Sequence, residues 1–245
     1  MRTGFSSEVP WEERKQLYDA AFFDKDNWWW SNIQFWSARA KAVCSATNPK
    51  TVLDCGCAKG SLVKFLVDLG VNSFGFDLSE YAINTTPYPE IRERLFCLDL
   101  ALEELPFTAL SVDVTCCFDF LEHQDDRHIE IVVSRIKEVT QRIVLIVQPF
   151  YPIRGFDVQS EVHRATDGLP LFERWAVLRG MGIHEVQPNP ANGPHPNERP
   201  RRNVLELFRP EFTEMELESP LYDFCESADG LHMLPFYDTL VLLRV

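Results

Sequence analysis

The run Val52-Leu53-Asp54-Cys55-Gly56-Cys57-Ala58-Lys59-Gly60 carries an apolar stretch into a turn of small residues, and Phe74-Gly75-Phe76-Asp77 places a second carboxylate 23 positions after Asp54. No other feature constrains the fold as much. The pattern reads as a buried strand, a glycine turn opening a helix, and a second strand ending on an acid, which is how a doubly wound α/β domain holds a nucleoside-bearing ligand. Gly56 allows the tight turn at the strand end, while Ala58 and Gly60 let a ligand approach the backbone and the next helix pack close to the sheet. Asp77 is placed to accept hydrogen bonds from two vicinal ribose hydroxyls.

A dinucleotide fingerprint has the form G-x-G-x-x-G, so that a pyrophosphate can sit on the helix N-terminus. Here an acid, Asp54, stands two residues before the first glycine. Its charge repels a pyrophosphate and suits an ammonium group. With these residues the chain resembles the class I S-adenosylmethionine-dependent methyltransferases, whose first motif has the form D-x-G-x-x-x-G. The loop Gly56-Cys57-Ala58-Lys59-Gly60-Ser61 and the segment Asp77-Leu78-Ser79-Glu80-Tyr81-Ala82 look like the subgroup with a G-C-A-K-G loop and a D-x-S-x-Y-A segment.

The resemblance continues in order. Cys97-Leu98-Asp99-Leu100 is similar to the third motif, in which the acid meets the adenine amino group. Leu105-Pro106-Phe107 and Val112-Asp113-Val114 resemble the approach to the fourth strand, and Phe118-Asp119-Phe120-Leu121-Glu122-His123 resembles a D-x-L-E-H motif with Phe120 in a usually aliphatic position. The resemblance covers residues 50 to 150. It implies S-adenosyl-L-methionine as cofactor, held by Asp54, Gly56, Cys57, Ala58, Gly60, Asp77, Leu78, Asp99, Leu100, Phe118 and Asp119.

Periodicity gives the frame. Residues 11 to 23 and 31 to 46 read as helices, the second with Ser31 as N-cap. Strands are expected at 51 to 55, 112 to 118 and 142 to 147. Helices are expected through Leu62, Phe65, Leu66 and Leu69 up to Gly70, and through Ile129, Val132, Val133, Ile136 and Val139 from near Asp125. Residues 169 to 181 suggest another helix, and Pro188 to Arg202, with five prolines, a loop or lid. Tyr237 to Val245 reads as the antiparallel strand that completes the seven-stranded sheet the resemblance implies. Its hairpin partner is one of residues 183–188, 203–208 or 213–217.

The expected fold is therefore α/β: a Rossmann-like, doubly wound, mostly parallel seven-stranded sheet with an antiparallel C-terminal strand. Residues 1–48 are expected to form an N-terminal helical cap and 49–245 the methyltransferase domain, with an irregular acceptor-side insertion at 150–235. At 245 residues and 45% apolar, the chain can bury one sizeable core. A formal charge of −13 argues against a nucleic-acid partner. No stretch has the length of a membrane span or the pattern of a secretory signal. The seven cysteines are odd in number and scattered, which suits reduced thiols in a cytoplasm. Cys55-x-Cys57 and Cys116-Cys117 read as loop and core packing rather than as metal ligands.

The acceptor half is less explicit. His123, just after the fourth strand, is the first candidate base, and His163, after the fifth, the second. Asn27-Trp28-Trp29-Trp30 with Phe35 and Trp36 reads either as a cap across the sheet edge or as an aromatic wall over cofactor and acceptor. Arg199, Arg201 and Arg202 read either as an anion clamp or as a solvated loop. Together these features imply methyl transfer to a small-molecule acceptor, oxygen favoured over nitrogen. The alternatives are a protein or peptide side chain as acceptor, and a noncatalytic module that keeps the fold.

Overall fold

The computed structural model describes residues 18–25, 32–124, 128–148, 201–215 and 238–245. His163, the tryptophan run at 28–30, the helix expected at 169–181 and Arg199 lie outside these residues. The described strands are β1 (Thr51–Cys55), β2 (Asn72–Asp77), β3 (Leu95–Cys97), β4 (Val112–Phe118), β5 (Thr140–Gln148), β6 (Phe212–Glu214) and β7 (Asp238–Arg244). The helices are α1 (Ala20–Lys25), α2 (Ile33–Thr47), α3 (Ser61–Asp68), α4 (Glu80–Asn84), α5 (Ile129–Val139) and α6 (Arg201–Phe208).

The strands form one sheet in the order β3-β2-β1-β4-β5-β7-β6. Pairing is parallel from β3 through β5, and β7 runs antiparallel to both β5 and β6. The order reverses between β1 and β4, so the crevice at their carboxyl ends is the topological switch point where open α/β sheets bind ligands. The β7 partner is 212–214, at the edge of the expected 213–217. Residues 203–208 are helical because Val204, Leu205 and Phe208 recur at helical spacing and bury one face.

Alternation along the strands divides the core. Leu53, Cys55, Cys117, Val144 and Ile146 face α5 and α6, whereas Val52, Val114, Cys116, Ile143 and Leu145 face α2 and α3. Both faces of the sheet are thus covered by helices, and the neighbouring thiols Cys116 and Cys117 serve opposite cores. Helix α2 starts at Asn32 rather than Ser31: the Asn32 Oδ1 accepts the Phe35 N–H at 3.0 Å, satisfying one of the donors that a helix start leaves over. No described helix is long and apolar enough to cross a membrane.

Candidate functional site

The turn after β1 is built from three residues in the left-handed region: Gly56 (φ 73°), Ala58 (φ 49°) and Gly60 (φ 84°). The N–H groups of Gly56 and Cys57 both donate to Phe76 O at 2.9 Å, which folds the loop back over β2. Each glycine has its own steric reason. A Cβ on Gly56 would lie 2.8 Å from Phe120 Cδ2, so this residue makes room for the aromatic ring that replaces the usual aliphatic side chain after β4. A Cβ on Gly60 would meet Leu95 and Ile91 at 2.8 and 3.0 Å, so Gly60 serves the packing of the helix-side core.

Cys57, one of the residues expected to contact the ligand, also builds the turn. Its thiol is buried with Val63, Ile83, Ile91 and Leu95, and a Cβ on Gly75 would collide with the Cys57 side chain at 2.6 Å. With its N–H donated to Phe76 O and its carbonyl accepting from Gly60 N–H, Cys57 builds the turn. Burial pushes its thiol well above the ordinary cysteine range.

Asp77, the last residue of β2, is gripped by the loop. One carboxylate oxygen accepts the Ala58 N–H at 2.8 Å and the other accepts the Ser79 N–H at 2.8 Å. Burial raises Asp77 to about 6, against the opposing pull of these backbone donors and of Leu78 N–H. The carboxylate orders the loop, and each oxygen keeps a further lone pair for a hydroxyl. Asp99 is 2% exposed; its Oδ1 accepts the Ala101 N–H at 2.9 Å, shaping the turn after β3, and the Leu100 carbonyl accepts from Arg135.

The charged heart of the crevice combines two expected acids with a residue that the sequence reading missed. Asp54 is 4% exposed and burial raises it to about 8, opposed by the field of Arg39 and assisted by that of Asp77. Arg39, on α2, is also 4% exposed. Its guanidinium lies 4.6 Å from the Phe118 ring centroid and 4.8 Å from that of Phe35, and 3.9 Å from Asp119 Oδ2. Neither Nη1 nor Nη2 makes a hydrogen bond among the described residues. Phe118 thus meets Arg39 with its face, and Asp119 takes φ 53° to turn the chain out of β4. Arg39 falls four residues after Phe35 and four before Val43, in the buried stripe of α2. An arginine on an apolar helical face is the signal that marks it.

The N-terminal segment closes the opposite side. Phe23 is 2% exposed and packs with Ala58 and Ala82. Asp24 accepts from Tyr81 Oη at 2.9 Å and lies 3.8 Å from Lys59 Nζ. Tyr18 Oη lies 3.2 Å from His123 Nδ1, and His123 is half-buried in a single 3-10 turn, Leu121–His123, at the end of β4. The structure therefore brings Asp54, Gly56, Ala58, Asp77, Phe118, Asp119 and His123 to one sheet edge.

The residues present fit the cofactor that the resemblance implies. A carboxylate held by backbone donors, a buried guanidinium with donors to spare, and a loop wound through left-handed backbone suit the donors and acceptors of an adenosyl amino acid. Residues 53–142 match the methyltransferase-domain family. No curated protein sequence matches the chain. Among solved structures, the 1,6-didemethyltoxoflavin-N1-methyltransferase of Burkholderia thailandensis, with bound 1,6-didemethyltoxoflavin and S-adenosylhomocysteine, is 14% identical with a TM-score of 0.59, over 94% of this chain and 87% of that one. The plantazolicin methyltransferase BpumL, in complex with a triazolic desmethylPZN analog and S-adenosylhomocysteine, is 13% identical with a TM-score of 0.54, over 94% and 90%. The magnesium protoporphyrin IX methyltransferase of Synechocystis PCC 6803, with bound S-adenosylhomocysteine, is 17% identical with a TM-score of 0.50, over 85% and 80%.

Proposed function

We propose that this chain, whose residues 53–142 match the methyltransferase-domain family, transfers the methyl group of S-adenosylmethionine to a small molecule, at oxygen in preference to nitrogen. The observation that supports the reading is the loop wound around Asp77: Ala58 and Ser79 donate to its two oxygens at 2.8 Å and hold the carboxylate still at the carboxyl end of β2. The structural relatives named above supply the analogy, with S-adenosylhomocysteine in each.

In this reading Asp77 accepts the two ribose hydroxyls, Asp99 meets the adenine amino group, Asp54 faces the ammonium and Arg39 takes the carboxylate of the amino-acid end. When bound, S-adenosylmethionine would supply a methyl carbon on a sulfonium, open to an acceptor lone pair, with the electrons of the carbon–sulfur bond going to sulfur. The chain contributes orientation and exclusion of water. The aromatic ring of Phe120 and the helix α1 wall the crevice. His123 takes the proton that a hydroxyl acceptor must lose. His163 is the second candidate for that task, and residues 1–48 the cap over it.

Calorimetry with S-adenosylmethionine and S-adenosylhomocysteine tests the cofactor. Incubation with labelled cofactor and an extract of the source cell, followed by mass spectrometry, tests the transfer. A labelled small molecule supports the reading, labelled protein moves the acceptor to a side chain, and binding without any labelled product makes the chain a noncatalytic relative.

A further inference from the structure

His123 is joined to the cofactor side of the crevice by a continuous run of hydrogen bonds. The Ser79 N–H donates to Asp77 Oδ1 at 2.8 Å, the Ser79 Oγ–H donates to the Tyr18 carbonyl at 2.6 Å, and the Tyr18 hydroxyl meets His123 Nδ1 at 3.2 Å. Ser79 Oγ also accepts the Ala82 N–H at 3.1 Å, so the only proton of that hydroxyl is committed to Tyr18. The tyrosine is braced as well as tethered. Its ring meets Phe22 edge-to-face at 5.2 Å and His123 at 6.1 Å with the planes 81° apart. Phe23, on the same segment, is seated against Ala58 of the glycine loop and Ala82 of α4.

A histidine with one nitrogen held by a fixed partner is confined in ring orientation, and whether that partner donates or accepts selects its tautomer. We propose that Tyr18 is a positioning residue: its hydroxyl accepts the Nδ1–H of His123, which puts the imidazole lone pair on Nε2, and Ser79, which donates to the Asp77 carboxylate, also holds the Tyr18 carbonyl. The proposal rests on the reading of His123 as the proton acceptor given above. It adds a residue about 100 positions away in sequence, on a segment with no catalytic motif of its own. It also accounts for the use of a tyrosine where packing alone would be served by phenylalanine, because the hydroxyl is the group that reaches the imidazole.

The experiment is 15N imidazole spectroscopy of the full chain, with and without S-adenosylhomocysteine, on wild type and Tyr18→Phe; His123→Asn identifies the signals of His123. The expected result is an Nδ1–H tautomer in wild type and a shift in Tyr18→Phe toward the Nε2–H form that free imidazole prefers. Tyr18→Phe keeps the ring and the backbone carbonyl, so its S-adenosylhomocysteine affinity should stay within about threefold, a difference well under 1 kcal/mol. An Nε2–H tautomer in wild type, or an unchanged tautomer in Tyr18→Phe, overturns the proposal. Failure of wild type to bind S-adenosylhomocysteine would instead overturn the cofactor assignment, and the ligand-free spectra would still decide the role of Tyr18.

Discussion

Arg39 Nη1 stands 3.9 Å from Asp119 Oδ2, joining helix α2 to the residue that turns the chain out of β4. Taking a guanidinium out of water is costly unless its donors are satisfied, and the faces of Phe118 and Phe35 offset only part of that cost. In the proposed reading a ligand carboxylate completes the site. Arg39→Met should therefore lower S-adenosylmethionine affinity by about tenfold or more, the equivalent of a charge-assisted hydrogen bond. Arg39→Lys should not restore it, since an ammonium neither stacks between two rings nor presents a planar fork. Isothermal titration of the three proteins decides the matter, and equal affinities would remove Arg39 from the site.

Asp77→Ala should weaken cofactor binding by about tenfold or more, from the loss of about 1.5 to 3 kcal/mol of charge-assisted bonding. The same change strips Ala58 and Ser79 N–H of their acceptors, so the loop should also exchange its amide hydrogens faster. Unchanged affinity in a folded Asp77→Ala protein would falsify the ribose assignment.

At Gly56 a side chain meets two obstacles, the φ of 73° and the Phe120 ring. Gly56→Val should abolish cofactor binding more completely than Asp77→Ala while the sheet stays folded. In Gly56→Ala, the second change Phe120→Leu should recover part of the affinity. The backbone strain of about 1–2 kcal/mol remains in either case. Binding titrations on the single and double variants measure this, and identical losses in both would mean that Phe120 is not the obstacle.

Much of this was legible in the residues. β1 and β4 begin and end where alternation and apolar runs place them, and Asp54, Gly56, Asp77 and Asp119 meet at the switch point that their order implies. Such positions follow from local spacing and from the handedness of βαβ crossovers. The partners of Gly56 and Gly75 were not legible, because a steric need of one backbone is set by a side chain from a distant strand or loop. Arg39 and Tyr18 escaped for the same reason: each acts by reaching residues far along the chain. The hairpin partner of β7 was left among three segments because a three-residue strand carries too little periodicity to be told from a turn.

Asp54 and Asp77 give the cofactor-free protein an unusual pH dependence. Their ordinary value is 3.8, and in the fold they stand at about 8 and about 6. Between 3.8 and these values the folded chain holds protons that the unfolded chain has released, so stability is full at the acid end and declines as pH rises towards 8. Asp113 and Glu211, which Arg142 and Lys137 hold low, act in the opposite sense, and only on the acid side of the ordinary carboxylate range. The melting temperature should thus fall from pH 5 to pH 8, and Asp54→Asn should flatten that fall. At pH 7, S-adenosylmethionine binding should release a proton, seen as a heat that changes with the ionisation enthalpy of the buffer. A melting temperature that rises over this interval would sink the assignment.

His123→Ala separates a chemical role from a structural one. Loss of a general base should lower kcat by about 10² to 10⁴ with little change in cofactor affinity, and the deficit should shrink as pH rises and the acceptor ionises unaided. If His123 only orders the turn after β4, affinity and melting temperature should fall together with no recovery at high pH. A rate within about threefold of wild type would pass the role to His163.

The place of β7 in the sheet bears on how the molecule comes to exist. Synthesis delivers β5 first, then residues 149–237 with β6 among them, and only then the strand that lies between the two. Until β7 arrives, β5 presents an open edge rich in valine, leucine and isoleucine, a template to which any other extended chain can pair. The nascent protein is thus most vulnerable to association over a defined interval of translation, and Asp238–Arg244 ends that interval by closing the gap from within.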